Sequence, residues 1–544
     1  MSTSLPNIEE ILSAVPHLKR GTGGVVAILK DGELLGKKAW GYADIDLRVP
    51  MTTETGFPIC SISKQMVCLA YESLLREPTK VMTERDRDAG KQMDDELHKL
   101  LPHLANREDN LKLVVDDLFN MQSGIRDYWA MTTLWGARPD DKFSMLHDAP
   151  QALARTKSFH FAPGTEYSYS NVNFHVLGRI MENVSGMSLA QILTERVFIP
   201  AGMRTAALCP NTNGLPLPIV GYEGNEKIGY FKATNRIEWA GDAGIAASLE
   251  DMIAYEKYLD RSLSDPQSLY AKTSKQQTFK DNAPASYGHG LNRSHLAETT
   301  VISHGGALRG FRHMRMQIPS KRINIVVFFN YEESSGFVAQ YIAKKLLGWE
   351  DQEPMRLKAA SEFVGDYLDG DTQLYVTVKE GEKVGTVELR YERNAEVVKL
   401  TSETEGETPS MKVRIEGDVL HAKRSFDNRT LRANRIPKLQ DAEIYQAANA
   451  EYAGTYRCDE SESTFTCTSD GMTLAASFDG FLGKGPIWLM RCVGKDVWAM
   501  GNPRGLDATP PGDWTIVFNR SSGGKIQGCT VGCWLARKVD YVKL

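Results

Sequence analysis

The sequence has little of what marks secreted, membrane-bound or nucleic-acid-binding proteins. It contains eight cysteines in 544 residues, none of them in a C-x-x-C pair, so we expect neither a disulfide framework nor a cysteine zinc site. No stretch reaches the roughly 18 apolar residues that a membrane helix needs. Residues 1–20 include Glu9 and Glu10 and no long apolar run. We therefore expect no signal peptide, no membrane anchor and a cytoplasmic location.

Several ligand classes lack sequence support as well. The net charge is −5 and basic residues form no block, so nothing indicates nucleic acid or an anionic membrane as partner. The histidines are dispersed and show no H-E-x-x-H spacing, which argues against a metal site. Glycine-rich phosphate-binding loops are missing too. The sequence predicts no metal and no cofactor.

The composition is that of a globular protein, 42% hydrophobic and 24% charged, and the chain is too long for one core. Residues 1–350 alternate strand-like and helix-like segments. A hairpin is predicted at 23–35, and two strands are predicted between Val301 and Tyr331. This pattern predicts an α/β (α+β) domain with an antiparallel sheet and packed helices. The charge-rich residues 76–112 are expected to form a solvated, partly helical insertion.

After residue 360 the pattern changes to short alternating runs with almost no helical periodicity. The motif of Phe363–Tyr367 recurs at Tyr452–Tyr456, each time ahead of a set of predicted strands. We predict two small antiparallel β-barrel domains, residues 358–437 and 450–544, with a linker at 437–450.

The candidate nucleophile is Ser61. Lys64 stands three residues later, at the start of an apolar run, and residues three apart share one face of a helix. A desolvated lysine can activate a serine hydroxyl. A second Ser-x-x-Lys, Ser522 to Lys525, lies in a glycine-rich turn where no helix sets the geometry, so we discount it.

Two further motifs follow in the chain, Tyr169-Ser-Asn171 in a turn and His304-Gly-Gly before Ala307 at the entry to a strand. Tyr169 can relay a proton if lysine charge lowers its pKa, and Asn171 can bind a substrate amide. His304 offers a donor beside the leaving group. The backbone N–H groups of Ser61 and Ala307 can form an oxyanion hole. Each motif alone is more often a turn or strand-edge feature, whereas the ordered set predicts a serine hydrolase.

These three motifs resemble those of the serine beta-lactamase and penicillin-binding family. Further segments, such as Pro58–Ser61, Gly305–Gly310 and Gly532–Arg537, are similar to the D-stereospecific aminopeptidases of that family. The resemblance implies a beta-lactamase-like catalytic domain, two C-terminal barrels and a homodimer. It also implies that loop 503–513 of the last barrel reaches the active site, where Asp507 would meet the substrate ammonium.

The function implied by the resemblance is release of N-terminal D-residues, such as D-alanine, from short peptides, amides or esters through a serine acyl-enzyme. A less selective esterase, a beta-lactamase or a D-amino-acid amidase on the same scaffold is the alternative among enzymes. A hydrolase-derived binding protein without turnover is the alternative from another class.

Overall fold

The computed structural model describes residues 6–105, 111–216, 218–296, 298–349, 363–440, 450–508 and 512–544. Most of the expected linker at 437–450, and the centre of loop 503–513, therefore lie outside the described residues. The helices are α1 (Ile8–Leu18), α2 (Ser63–Arg76), α3 (Lys80–Thr83), α4 (Ala89–Leu100), α5 (Pro102–Ala105), α6 (Val115–Phe119), α7 (Tyr128–Leu134), α8 (Asp148–Ala154), α9 (Asn171–Ser185), α10 (Leu189–Leu193), α11 (Ile199–Ala201), α12 (Leu249–Ser262), α13 (Leu269–Thr273) and α14 (Ser335–Leu347).

The N-terminal part is built on an eight-stranded antiparallel sheet of order β3-β2-β1-β13-β12-β11-β10-β9. The strands up to residue 349 are β1 (Gly23–Lys30), β2 (Glu33–Asp44), β3 (Val49–Pro50), β4 (Phe57–Pro58), β5 (Ala207–Leu208), β6 (Tyr222–Asn225), β7 (Gly229–Lys232), β8 (Ile245–Ala247), β9 (Tyr287–Gly288), β10 (Leu291–Leu296), β11 (Thr299–Leu308), β12 (Phe311–Ile318) and β13 (Ile323–Phe329). The segment from Val301 to Tyr331 thus holds three strands, not the two expected, because a tight turn at Arg309–Gly310 separates β11 from β12.

Both faces of this sheet are covered by helices. In the central strand β1, Val26 and Ile28 pack in one core with α1 and α14, while Val25 and Ala27 face the other core, which includes α2 and α12. Successive strand residues point to opposite faces, so a strand covered on both sides must be apolar throughout. The run Gly23–Lys30 meets that demand. The longest helix in the described ranges, α9, has 15 residues, and none there is both long and apolar enough to cross a bilayer.

The segment 76–112 differs from the solvated insertion that we expected. Its described part contains α3, α4 and α5, and α4 packs against α9. Met93 and Leu97 of α4 are fully buried. Apolar residues four apart lie on one helix face. The many charged residues around Met93 and Leu97 made this apolar spacing difficult to recognise in the sequence. The segment belongs to the body of the first domain.

A closed eight-stranded antiparallel barrel follows. Its strands are β14 (Gly365–Asp369), β15 (Tyr375–Glu380), β16 (Thr386–Arg390), β17 (Glu396–Leu400), β18 (Glu405–Thr408), β19 (Met411–Glu416), β20 (Val419–Arg424) and β21 (Arg429–Arg435). In β19 every second residue, Met411, Val413 and Ile415, is buried, as a barrel wall with a filled interior requires.

The remaining residues form a second antiparallel sheet, which the pairing of β23 with β24 closes. Its strands are β22 (Gly454–Cys458), β23 (Ser463–Ser469), β24 (Leu474–Gly480), β25 (Gly483–Lys484), β26 (Trp488–Gly494), β27 (Val497–Met500), β28 (Trp514–Arg520), β29 (Ile526–Cys533) and β30 (Ala536–Lys543). The predicted fold class, a sheet-and-helix domain followed by antiparallel barrels, is confirmed.

The sequence motif shared by the two barrels makes the same contact in both. The Tyr367 hydroxyl donates to the carbonyl of Phe363 at 3.0 Å, and that of Tyr456 donates to the carbonyl of Tyr452 at 2.7 Å. Each tyrosine therefore fixes the entry to the first strand of its barrel.

Candidate active site

Ser61 is presented by a short turn in front of α2. The chain leaves β4, forms a 3₁₀ turn at Cys60–Ile62 and then enters α2. Cys60 has a φ of 53°, a left-handed conformation that side chains other than glycine rarely adopt. Such conformations persist where the surroundings enforce them, often at functional sites. Ser61 itself is half-buried and lines a cavity of about 570 Å³.

Lys64 is fully buried, and its amine contacts three oxygens. Nζ lies 3.0 Å from Ser61 Oγ, 2.8 Å from Asn171 Oδ1 and 2.6 Å from the carbonyl of Asp242. The two carbonyl oxygens can only accept, so they take two N–H bonds. In the neutral amine this leaves the nitrogen lone pair directed at the Ser61 hydroxyl. Burial lowers the pKa of Lys64 to about 8, while the nearby Asp242 and Asp127 oppose the shift. The geometry is that of a general base beside a nucleophile.

Tyr169 approaches Ser61 from the other side. Its hydroxyl donates to Ser61 Oγ at 2.8 Å. The structure differs from our expectation in one respect. Burial raises the pKa of Tyr169 well above its usual value, even though the bond to Ser61 opposes the rise. Desolvation is the largest cause, and the nearby carboxylates of Asp127 and Asp242 add to the rise. Tyr169 is thus a phenol in the resting site, able to donate but not ionised.

Asn171, the first residue of α9, is held between the base and a buried acid. Asp127 Oδ1 accepts from the Asn171 backbone N–H at 2.7 Å and from Nδ2 at 3.1 Å. These bonds aim the Asn171 side-chain oxygen at Lys64. Burial raises the pKa of Asp127 to about 6, opposed by the bonds from Asn171. We expected Asn171 to bind substrate, and the structure shows its amide already engaged with protein groups on both sides.

His304 lies in β11 beside Tyr169, with ring centroids 6.2 Å apart. Burial lowers its pKa to about 3, and the Lys64 charge adds to the effect, so the ring is neutral at pH 7. Nδ1 lies 2.6 Å from the carbonyl of Gly305, which can only accept, so Nδ1 carries the proton. Nε2, 2.9 Å from the Tyr287 hydroxyl, must then accept. Both ring nitrogens are occupied, so the expected donor to a leaving group is not available in this arrangement.

The glycines after His304 and the residue Ala307 form the wall of the cavity opposite α9. The pairing of β10 with β11 reaches only to Ser303, so the segment from His304 to Ala307 borders the cavity beyond the end of β10. At Gly306 any Cβ would collide with the carbonyl of Ile59, which explains the glycine at that position. Ala307 and Ser61 both line the cavity, as an oxyanion hole built from their backbone would require.

Asp507 reaches the same cavity from the second barrel. Its backbone carbonyl accepts from the N–H of Arg309 at 3.0 Å, which pins the loop to the β11–β12 turn. Burial raises the pKa of Asp507 to about 7, and the carboxylate of Asp127 adds to the rise. A carboxyl in this state gains strongly from a cationic partner.

Comparison with known proteins agrees with this architecture. Residues 9–347 match the family model described as beta-lactamase, and residues 356–542 match that of D-aminopeptidase, domain B. The D-aminopeptidases of Brucella canis and Brucella anthropi are 39% and 38% identical to this chain over 540 residues, with 99% of both chains covered in each case. The chain belongs to the D-aminopeptidase family.

Solved structures with lower identity share the fold of this family. The octameric penicillin-binding protein homologue from Pyrococcus abyssi has a TM-score of 0.53 at 19% identity, covering 78% of this chain and 99% of that one. The penicillin-binding protein from Bacillus halodurans has a TM-score of 0.50 at 20% identity, covering 63% and 100%.

In this member of the D-aminopeptidase family the cavity also contains groups that sequence reasoning missed. Asp127 lies directly before α7, in the segment that follows α6. Glu392–Asn394 come from the first barrel, and Trp534 with Leu535 from the β29–β30 hairpin of the second. Trp534 and Leu535 belong to the segment Gly532–Arg537, whose family likeness was visible but gave no role. No local pattern marks Glu392–Asn394, because only the packing of the first barrel on the first domain brings them to the cavity.

Proposed function

We propose that this protein is a serine D-aminopeptidase that releases an N-terminal D-residue, such as D-alanine, from short peptides, amides or esters. The observation that carries the proposal is the position of Ser61 Oγ, 3.0 Å from Lys64 Nζ and 2.8 Å from the Tyr169 hydroxyl, in a cavity that Asp507 also lines. The preference for the D-configuration is taken from the names of the 39%-identical relatives.

In the acylation step, Ser61 Oγ attacks the substrate carbonyl carbon as its proton passes to the neutral amine of Lys64. The carbonyl electron pair moves to oxygen, where the backbone N–H groups of Ser61 and Ala307 would stabilise the charge. The C–N bond then breaks, and the leaving nitrogen takes a proton from the Tyr169 hydroxyl. Tyr169 is replenished with the proton that Lys64 received. A phenol can give one proton while gaining another, so no phenolate is needed.

In the deacylation step, water attacks the ester on Ser61. Lys64 and Tyr169 together take a proton from the water and return a proton to Ser61 Oγ. The ester bond then breaks and the D-amino acid is released. Asn171 accepts a hydrogen bond from the Lys64 amine and so orients the lone pair of that amine toward Ser61. His304, neutral and bonded through both nitrogens, fixes Tyr287 and the start of the cavity wall.

The free N-terminus of the substrate is recognised by Asp507. An ammonium group beside this carboxyl would return its pKa toward the ordinary value and pair with it in a cavity that is partly shielded from water. An acylated amine carries no charge and leaves the half-buried Asp507 carboxylate without a partner. We therefore expect N-acetylated substrates to bind poorly and to be cleaved slowly or not at all.

The test is turnover of D- and L-alanine p-nitroanilide, with the N-acetylated D-compound as a further substrate. We expect the wild type to cleave the free D-anilide far faster than the other two. Ser61→Ala should lose roughly a thousandfold or more in kcat. Equal rates of the wild type and Ser61→Ala would contradict the assignment of Ser61 as the nucleophile.

We further propose a cytoplasmic homodimer with three domains, residues 1–350, 358–437 and 450–544. All eight cysteines are unpaired, as expected in a reducing compartment, and each proposed domain holds one of the three large sheets. The dimer is inferred from the family resemblance. Light scattering on the purified protein would measure its mass, and a mass other than that of two chains would contradict the dimer.

A further inference from the structure

The loop that carries Asp507 is held in the cavity by contacts that the proposed chemistry does not use. The N–H of Gly505 donates to the carbonyl of Ala508 at 3.0 Å, so residues 505–508 form a small turn closed by its own hydrogen bond. Leu506 in this turn is buried in the core, while Asp507 is half-buried and lines the cavity. The position of the Asp507 carboxyl group therefore depends on what holds this turn against the first domain.

Arg504, directly before the turn, forms an ion pair with Glu223 of β6 in the first domain. The Glu223 side chain is only 4% exposed, whereas that of Arg504 is 40% exposed. A charge pair with a buried partner is screened less by water and salt than a pair in which both groups are exposed. The pair thus ties the second barrel to the first domain immediately before the turn that contains Asp507.

Arg309, in the turn between β11 and β12, supplies a fixed base for this ion pair. Its guanidinium donates to both oxygens of Glu223, each at 3.1 Å, and its side chain is buried. The same guanidinium donates to Asp140 at 2.7 Å. The backbone N–H of Arg309 donates to the carbonyl of Asp507. Arg309 therefore orients the Glu223 carboxylate toward Arg504 and also contacts the turn itself.

Other hydrogen bonds hold the two ends of the loop. The Asn502 side chain donates to the Thr133 hydroxyl of α7 at 3.0 Å, and Asp513 accepts from the Tyr375 hydroxyl of the first barrel at 2.6 Å. These bonds fix the places where the loop leaves and re-enters the second barrel. Both lie farther along the chain from Asp507 than Arg504 does, so they constrain the carboxyl group less directly.

We propose that Arg504, through its ion pair with Glu223, positions Asp507 to bind the substrate amine. This inference rests on the proposed function, because that function assigns the amine to Asp507. Arg504 does not line the cavity, so it is a positioning residue that acts through Asp507 and takes no part in proton transfer.

Replacing Arg504 is a fair test because Glu223 keeps Arg309 as its partner. No buried charge is left unpaired, so the fold should remain intact. Replacing Glu223 would instead disturb the buried Arg309 and would mix loop placement with stability. The variants are therefore Arg504→Ala and the conservative Arg504→Lys. Arg457→Ala is the matched control, because Arg457 and its partner Asp459 are both exposed on the second barrel.

The experiment measures kcat and KM for D-alanine p-nitroanilide in the wild type, in these three variants, in Asp507→Asn and in the double variant Arg504→Ala/Asp507→Asn. We expect Arg504→Ala to raise KM about tenfold and to change kcat by less than about twofold, as the loss of one charge-assisted hydrogen bond allows. Arg504→Lys should recover part of the loss, and Arg457→Ala should behave as the wild type. Because Arg504 acts through Asp507, the double variant should have the same KM as Asp507→Asn alone.

Two outcomes overturn the inference and leave the proposed function intact, provided that Asp507→Asn has a raised KM. One is an unchanged KM in Arg504→Ala, or a double variant in which the two effects multiply. The other is a fall of kcat and of the thermal unfolding midpoint together in Arg504→Ala, which would assign Arg504 a purely structural role. If Asp507→Asn has the KM of the wild type, amine recognition by Asp507 in the proposed function itself fails.

Discussion

Glu166 accepts two hydrogen bonds from a single Arg429 nitrogen, at 2.8 and 2.9 Å, and so joins the loop that carries Tyr169 to the first barrel. The same carboxylate accepts from Arg537 of the second barrel at 2.9 Å. The backbone N–H of Tyr167 also donates to the carbonyl of Asp427. Both barrels therefore help to place the Tyr169 hydroxyl against Ser61.

Replacing Glu166 by glutamine should weaken both the fold and catalysis. The change leaves the buried Arg429 and Arg537 without their shared carboxylate, and breaking such a pair costs about 3 kcal/mol. We expect a lower midpoint of thermal unfolding together with a reduced kcat for D-alanine p-nitroanilide. Glu226→Gln is the matched control, because Glu226 and its partner Arg20 are both exposed. An unchanged midpoint and kcat in Glu166→Gln would show that the barrels do not position the loop.

The rate at saturating substrate should rise with pH around the pKa of Lys64, about 8. A general base works only when it has lost its proton. Below this pKa the amine is mostly protonated and the rate is low, and above it the rate levels off. Stopped assays of kcat across this range give the midpoint. Lys64→Arg keeps the positive charge but cannot lose it, so it should be inactive at every pH. A profile that stays flat through pH 8 would exclude Lys64 as the base.

Asp127→Asn should shift the midpoint of that profile to lower pH. The Asp127 charge raises the pKa of Lys64, so removing it leaves the amine easier to deprotonate. The same change weakens the bonds that orient Asn171, so kcat should fall as well. A purely structural role would lower kcat without moving the midpoint. Measuring kcat against pH separates these two cases.

Asp507→Asn should relax the demand for a free amine. An uncharged amide gains little from an ammonium and tolerates an acylated nitrogen better than a carboxylate does. We expect a higher KM for D-alanine p-nitroanilide and measurable cleavage of its N-acetylated form. A variant that still discriminates between the two compounds as strongly as the wild type would place amine recognition elsewhere.

The sequence was informative where chemistry depends on neighbours in the chain. Ser61 and Lys64 share one turn, and Tyr169 and Asn171 frame one turn, so their motifs could be seen directly. The barrels were also predictable, because alternation along single strands such as β19 survives without any partner. The environment of these groups was not predictable. The high pKa of Tyr169 and the occupied nitrogens of His304 result from burial and from contacts far away in sequence. Arg393 and Trp534 reach the cavity only through domain packing.

The most direct test of the central claim is detection of the acyl-enzyme. The protein is mixed with a D-alanine ester, quenched in acid during turnover and digested, and the peptides are examined by mass spectrometry. We predict a D-alanyl ester on the peptide that contains Ser61, and none in Ser61→Ala. An adduct on another residue, or turnover with no adduct at any quench time, would contradict a mechanism in which Ser61 is the nucleophile.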